Sequence, residues 1–203
     1  DGSDYRLVET GEELRGLAKS LREVSEFAVD VEASDVDPMR AVLAGISVAW
    51  EEKRAWYVPV KSVLDEEPTM FAARAESPGF DLDVVRAELG PVFGDPRVRK
   101  IGQNIKYDAL VLGNAGLGLE GISFDTMLAS YSLHPARKSH GLDSLAKEVL
   151  GHDMVPFKSL FDTRSKKKDI RTVPLDRVAP YACEDADYTL RLKNVFEPLL
   201  GSS

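Results

Sequence analysis

Four carboxylates and one phenol in this chain have the types and spacing that hydrolytic chemistry around cations would need. Asp30 and Glu32 lie two apart at the end of the apolar run Phe27-Ala28-Val29-Asp30-Val31-Glu32. Alanine, valine and phenylalanine fill that run and no turn residue breaks it, so it reads as a buried strand. Residues i and i+2 of a strand share a face, so both acids project together. Like charges held close on a rigid element repel unless something positive sits between them, and hard divalent cations prefer oxygen ligands. Alone, a D-x-E pattern at a strand end is more often two solvated acids at a loop entry.

Two other stretches carry acids in organised surroundings. Gly102-Gln103-Asn104-Ile105-Lys106-Tyr107-Asp108 reads as a strand-to-helix junction, where α/β folds commonly bind ligands. Asn104 and Asp108 are four apart and share a helix face. In Tyr181-Ala182-Cys183-Glu184-Asp185-Ala186-Asp187, Tyr181 and Asp185 share a face while Glu184 and Asp187 point elsewhere. A phenol there can orient a water as a nucleophile, and Asp185 can hold a cation. Taken singly, each stretch reads better as an ordinary capped or acidic helix turn. Together they change the balance. Phosphodiester hydrolysis uses two cations about 3.5–4 Å apart, one activating water and one stabilising the leaving oxygen. Two such cations need several carboxylates from different elements, and Asp30, Glu32, Asp108 and Asp185 are that set, with Tyr181 beside them.

The elements that must position these residues are legible in order. Tyr5–Val8 reads as a short strand, and Thr10 with Glu13 three residues on has capping-box spacing for the helix behind it. After the strand at Phe27–Glu32 and an acidic loop containing Pro38, Val42–Trp50 and Ala55–Val60 read as a β-hairpin around residues 51–54. The early chain is thus strand, helix, then an antiparallel meander. Residues 61–80, with Pro68, Pro78 and Gly79, read as a variable connection. Val84–Phe93 has helical spacing, Val98–Gly102 is a short strand, and Asn104 is expected to cap the helix that follows. Gly121–Phe124 is a strand with Asp125 capping helix 126–132; Leu142–Leu150 is a helix stopped by Gly151; Phe157–Phe161 is one helical turn. Pro174 suits a first helical turn, and the last helix runs to about Phe196. Strands early, helices late and βα alternation between give a mixed α/β sheet flanked by helices.

Composition bounds the function. At 203 residues, 43% hydrophobic and 30% charged, the chain fits one globular domain with a sizeable core. No stretch has transmembrane length and no signal pattern opens it, so no membrane partner is expected. Cys183 is the single cysteine, which excludes an internal disulfide and disfavours a cysteine zinc site. These features favour a cytoplasmic protein. A net charge of −8 argues against a protein that coats nucleic acid, but not against an enzyme holding a few nucleotides around cations. The basic run Arg164, Lys166, Lys167, Lys168 and Arg171 reads as a solvated loop. Asp1 stands first, so the start is processed or the chain is cut from a longer one.

Other patterns are decoys. Gly116-x-Gly118-x-x-Gly121 follows a helix and precedes a strand, the reverse of dinucleotide-binding order. His134, His140 and His152 show no zinc spacing, and Ser139-His140 makes no triad. Trp50 and Trp56 read as packing against the hairpin.

The three acidic stretches resemble the three exonuclease motifs of the 3′–5′ proofreading domain of bacterial DNA polymerase I, the Klenow type. That domain belongs to the DEDD superfamily, in its tyrosine branch. Gly121-Ile122-Ser123-Phe124-Asp125-Thr126-Met127-Leu128 and Leu142-Asp143-Ser144-Leu145-Ala146 are similar to the family as well. The likeness spans about Tyr5 to Leu200. It implies a ribonuclease-H-like mixed sheet of about five strands flanked by helices. The chain is then a single 3′–5′ exonuclease domain, residues 1–203, excised from a larger DNA polymerase. The implied reaction removes one nucleoside 5′-monophosphate at a time from a single-stranded DNA 3′ end, in proofreading during replication and repair. The implied cofactors are two divalent cations, Mg²⁺, with Mn²⁺ or Zn²⁺ able to substitute. By the match, Asp30, Glu32 and Asp185 hold the tighter cation, Asp30 bridges to the second, and Asp108 holds that one through water. Tyr181 and Glu32 orient the attacking water. Phe157 matches a stacking phenylalanine and Val36 a leucine wedge, while Gln103, Asn104 and Tyr107 line the terminal nucleotide. Expected partners are the single-stranded 3′ end and the polymerase domain of the same parent chain; the protein is expected to be a monomer. Pro180 departs from the pattern, and the expectation is that it begins a new helix that keeps Tyr181 and Asp185 on one face. An exoribonuclease of the same superfamily and an inactive structural domain are the competing readings.

Overall fold

The computed structural model describes residues 2–64, 76–161 and 168–201. Residues 65–75, most of the expected variable connection, and 162–167, most of the basic run, lie outside them. The order is β1 (Asp4–Leu7), α1 (Gly11–Glu23), β2 (Glu26–Ala33), β3 (Leu43–Glu51), β4 (Arg54–Pro59), α2 (Leu82–Phe93), β5 (Arg99–Gly102), α3 (Ile105–Asn114), β6 (Ile122–Asp125), α4 (Thr126–Leu133), α5 (Leu142–Leu150) and α6 (Leu175–Leu200). Short 3-10 turns cover Phe157–Leu160 and Ile170–Thr172.

Among the described residues one six-stranded sheet forms, ordered β1-β4-β3-β2-β5-β6. β2, β3 and β4 are the antiparallel meander; β1 pairs β4, β5 pairs β2 and β6 pairs β5 in parallel. The sheet is mixed α/β as expected, with six strands rather than about five because short β1 and β6 close its two edges.

Alternation sorts the two faces. Phe27, Val29 and Val31 of β2 join Ile46, Val48 and Val58 in a core capped by α1 and α2. Ala28, Ala49, Ala55 and Tyr57 face the other way, against Ala179, Ala182, Cys183 and Ala186 of α6. Small residues on both surfaces let the helix lie close to the sheet. Asp30 and Glu32 share that second face, so β2 delivers them toward α6.

Asp187, fully buried on α6, ties this layer to the sheet edge. It accepts from the Tyr5 hydroxyl at 2.7 Å, the Lys53 amide at 2.8 Å and Arg191 Nε at 2.9 Å. Lys53, at positive φ, makes the tight turn of the β3–β4 hairpin.

α6 runs unbroken through Pro180, which corrects the expectation of a helix start there. Pro180 sits on the exposed face, as does Asp176, whose carbonyl loses the i→i−4 partner. Water can satisfy that carbonyl, so the helix continues and Tyr181 and Asp185 share a face within one helix.

Candidate active site

The site lies where the sheet changes partner. β2 pairs with β5 only through Ala28, and β5 ends at Gly102. Beyond Ala28, β2 keeps β3 on one side, and α3 takes the place of β5 on the other. A Cβ on Gly102 would meet the Ile105 side chain at 2.7 Å, so glycine permits this sharp strand-to-helix turn. The Val31 amide, which has no strand partner on that side, hydrogen-bonds Asp108 of α3.

The turn itself corrects one expectation. Asn104 is the N-cap residue of α3 but lies in the left-handed region at φ 58°, and its side chain makes no cap bond. Asp125 does that work instead, accepting from the Asn104 and Ile105 amides at 3.2 and 3.0 Å. The same carboxylate caps α4, at 2.8 Å from Met127 N and 3.2 Å from Leu128 N. The sequence pointed to Asp125 only for α4. One side chain serves both helices because β5 and β6 run parallel and end side by side.

Asp30, Glu32 and Asp185 each bring one carboxylate oxygen within 4.8 Å of the others. With Asp108 and Tyr181 they line one open cleft of about 490 Å³. Val36, Gln103, Asn104, Tyr107 and Phe157 line it too, so every residue expected from the sequence comes to this cleft. Val36 is 92% exposed and Phe157 is 39% exposed, which removes core packing as the role of either. Phe157 stands over Tyr181 with ring centroids 6.1 Å apart. The Tyr107 hydroxyl donates to the Asp35 carbonyl at 2.5 Å, and burial pushes its pKa to about 12. The Gln103 amide is largely committed to the scaffold, donating to the His140 carbonyl at 2.8 Å and accepting from the Thr126 hydroxyl at 2.5 Å.

The electrostatics are those of a site built for positive charge. Burial raises Asp30 to about 7. Burial first, and Asp30 second, hold Glu32, Asp108 and Asp185 well above the ordinary carboxylate range. Burial and then Asp185 raise the Tyr181 phenol, so it remains a protonated donor. Glu32 Oε1 and Asp108 Oδ2 are buried with no hydrogen-bond partner among the described residues. Orphaned carboxylate oxygens are rare because leaving them unpaired is costly. Hard divalent cations, which take oxygen ligands, fit this donor set.

The other two acids of the third stretch do point elsewhere. Asp187 holds the sheet edge, and Glu184 holds the segment before Phe157, accepting from His152 Nε2 at 2.8 Å and the Val155 amide at 2.7 Å. Sequence reasoning missed Lys168. It is the one basic side chain among the described residues that line the cleft, and the signal for it was the run read as solvated. Arg171 also departs from that reading. It is buried, with Nε and Nη2 on Asp169 at 2.9 and 2.6 Å and Nη1 on the Val63 carbonyl at 2.8 Å.

Comparison with known proteins fits this geometry. A family model described as 3′–5′ exonuclease matches residues 5–201. DNA polymerase I of Pseudomonas aeruginosa is 35% identical over 191 residues, covering 93% of this chain and 20% of that protein. DNA polymerase I of Chloroflexus aurantiacus is 34% identical over 188 residues, 92% of this chain and 18% of that protein. The chain thus spans about a fifth of the length of these relatives. Among solved structures, the POL domain of Pol1 from M. smegmatis, in complex with DNA primer-template and dNTP, superposes with a TM-score of 0.67 at 19% identity, covering 97% of this chain and 28% of that one. Trypanosoma brucei RNase D in complex with RNA U12 gives 0.68 at 20% identity, covering 96% and 62%. At these identities the superpositions establish a shared fold, the ribonuclease-H-like exonuclease fold. No described helix is long and apolar enough to cross a membrane.

Proposed function

Because the chain belongs to the 3′–5′ exonuclease family, we propose that it removes nucleoside 5′-monophosphates one at a time from single-stranded DNA 3′ ends, as the proofreading part of a larger DNA polymerase. The observation that carries this reading is the meeting of Asp30, Glu32 and Asp185 within 4.8 Å in an open cleft. DNA is favoured over RNA by relatives 30–35% identical over most of this chain, which are DNA polymerase I proteins.

Asp30, Glu32 and Asp185 would hold one divalent cation, and Asp30 with Asp108 a second. When bound, such cations activate water and neutralise charge on the scissile phosphate. Tyr181 and Glu32 orient the attacking water, the phenol as donor and the carboxylate as acceptor. Phe157 stacks on a terminal base and Val36 wedges at the rim; stacking is sequence-tolerant, as an enzyme that removes any nucleotide requires. Asn104 and Tyr107 line the terminal nucleotide, and Gln103 keeps that wall in place.

The test is release of labelled mononucleotide from a 3′-labelled single strand with Mg²⁺ or Mn²⁺, beside Asp30→Ala. Release by the wild type alone is expected. Equal release by both proteins would mean contamination, and none by either would support an inactive structural domain. Competition between matched DNA and RNA strands is expected to favour DNA; faster RNA trimming would sink the DNA assignment.

Lys168 gives a second expectation. An acidic cleft that binds a polyanion gains from one cation in its wall. Lys168→Ala is expected to raise KM about threefold to tenfold with kcat little changed. The slope of log KM against log salt should fall by about 0.7, the value for one phosphate contact on a single strand. An unchanged salt slope would remove Lys168 from the substrate path.

A further inference from the structure

We infer that His152 and Glu184 form a clamp that positions Phe157 against the 3′-terminal bases; the inference rests on the exonuclease reading above. Glu184 is one residue from Asp185 on α6, yet it faces away from the cleft and is 7% exposed. Its two carboxylate oxygens receive His152 Nε2 at 2.8 Å and the Val155 amide at 2.7 Å. The His152 ring stacks on Tyr188, also of α6, with centroids 4.2 Å apart and an angle of 16°. The Arg191 guanidinium lies 4.4 Å from the Tyr188 ring centre. Met154 is buried against Tyr188 and Ala146.

Residues 151–156 have no helix or strand of their own. They are fixed to α6 at His152, Met154 and Val155, and the chain then enters the turn that carries Phe157. On the far side of Phe157, Arg177 of α6 donates to the Ser159 carbonyl at 2.7 Å. The phenylalanine is therefore held from both directions by the helix that bears Tyr181 and Asp185. None of these contacts involves the carboxylates of the cleft. This geometry assigns Glu184 a task separate from its neighbour: it fixes the distance between a base-stacking ring and the hydrolytic groups. His152 and Glu184 are positioning residues, acting through Phe157.

The test separates stacking from chemistry with two substrates. One is a thymidine single strand; the other is bis(4-nitrophenyl) phosphate, a phosphodiester that carries no base to stack. His152→Phe keeps a ring over Tyr188 and removes the N–H donor. Its KM for the single strand is expected to rise about tenfold with kcat little changed, as partial loss of one stacked base would give. Its kcat/KM on the ester should stay within about twofold, and His152→Gln, which restores a donor, should recover the strand KM. In a Phe157→Ala background, His152→Phe should add no further loss. If His152→Phe unfolds below the assay temperature, Glu184→Gln carries the same test. An unchanged KM, equal losses on both substrates, or additive losses with Phe157→Ala would overturn the inference. A wild type inactive on both substrates would instead overturn the exonuclease reading on which it rests.

Discussion

Asp30→Asn is expected to abolish nuclease activity and, in the absence of divalent cations, to raise the melting temperature. The two effects have one cause. Asp30 stands beside Glu32 and Asp185, and it contributes to the raised pKa of each neighbouring acid. Without cations, the folded protein must either keep protons on these groups or hold unpaired buried charge. Between the ordinary value of 3.8 and about 7, folded Asp30 binds a proton that the unfolded chain releases. Stability of the cation-free protein therefore falls as pH rises through that window. Asparagine removes the group and relieves its three neighbours. Allowing for the partial opening of Asp30 to the cleft, the gain at pH 8 is on the order of 2 kcal/mol. For a domain of this size that is about 5 °C. Divalent cations should stabilise the wild type and reverse its pH slope, because the ligands must lose their protons to bind. Activity should fall at least about a thousandfold, since cation charge supplies several kcal/mol in phosphoryl chemistry. Thermal melts with and without EDTA at pH 5 and pH 8, beside single-turnover rates, check both halves. A cation-free melting temperature that rises with pH would refute the electrostatic account.

Gly45→Ala should be nearly as damaging, by packing rather than charge. Gly45 lies directly opposite Glu32 across the β2–β3 ladder. Its backbone is not in the left-handed region, so conformational freedom is not the reason for glycine. A Cβ there would stand 2.1 Å from the Tyr57 hydroxyl oxygen and 2.3 Å from its Cζ. Tyr57 is 1% exposed and packed between the sheet and α6, so its ring has nowhere to move. The clash should cost about 3 kcal/mol or more, roughly 10 °C in melting temperature. Any relief that shifts β3 also shifts Glu32, and a displacement near 1 Å can cost about a hundredfold in rate. Tyr57→Leu should absorb much of the clash: the double variant should be little less stable than Tyr57→Leu alone. Additive destabilisation would show that Tyr57 is not what the glycine accommodates.

The acids and the phenol of this cleft were legible because their signals are local, whereas Val36, Gln103, Tyr107 and Phe157 were reached only through the family resemblance. Asp30 and Glu32 advertise themselves through strand periodicity, Tyr181 and Asp185 through helix periodicity, and the spacing survives whatever the tertiary structure does. Pro180 misled because the cost of proline in a helix depends on which face it occupies, and periodicity near a terminus says little about that. Asn104 misled for a related reason: its residue type suits a cap, but the better acceptor arrives from Asp125, 21 residues away. The pairing of His152 with Glu184 had no local signature, because it spans 32 positions. Lys168 was hidden in a basic run whose composition is also that of a solvated loop. Composition and spacing thus reached the acidic cluster and the layer architecture. They could not reach the long-range hydrogen bonds that decide which side chains are scaffold.

The grip of Asp187 on Tyr5 joins residues 182 positions apart, and this has a consequence for the order of folding. β1 and the middle of α6 meet at one sheet edge, and the helix that closes that edge also brings Asp185 to Asp30. Contacts of such high sequence separation form late, after the entropy of closing a long loop has been met. A chain emerging from a ribosome therefore cannot bring Asp30, Glu32 and Asp185 together until α6 has been made. Nuclease activity should appear in synthesis only when the whole domain is present, and a fragment ending before residue 175 should be both unstable and silent.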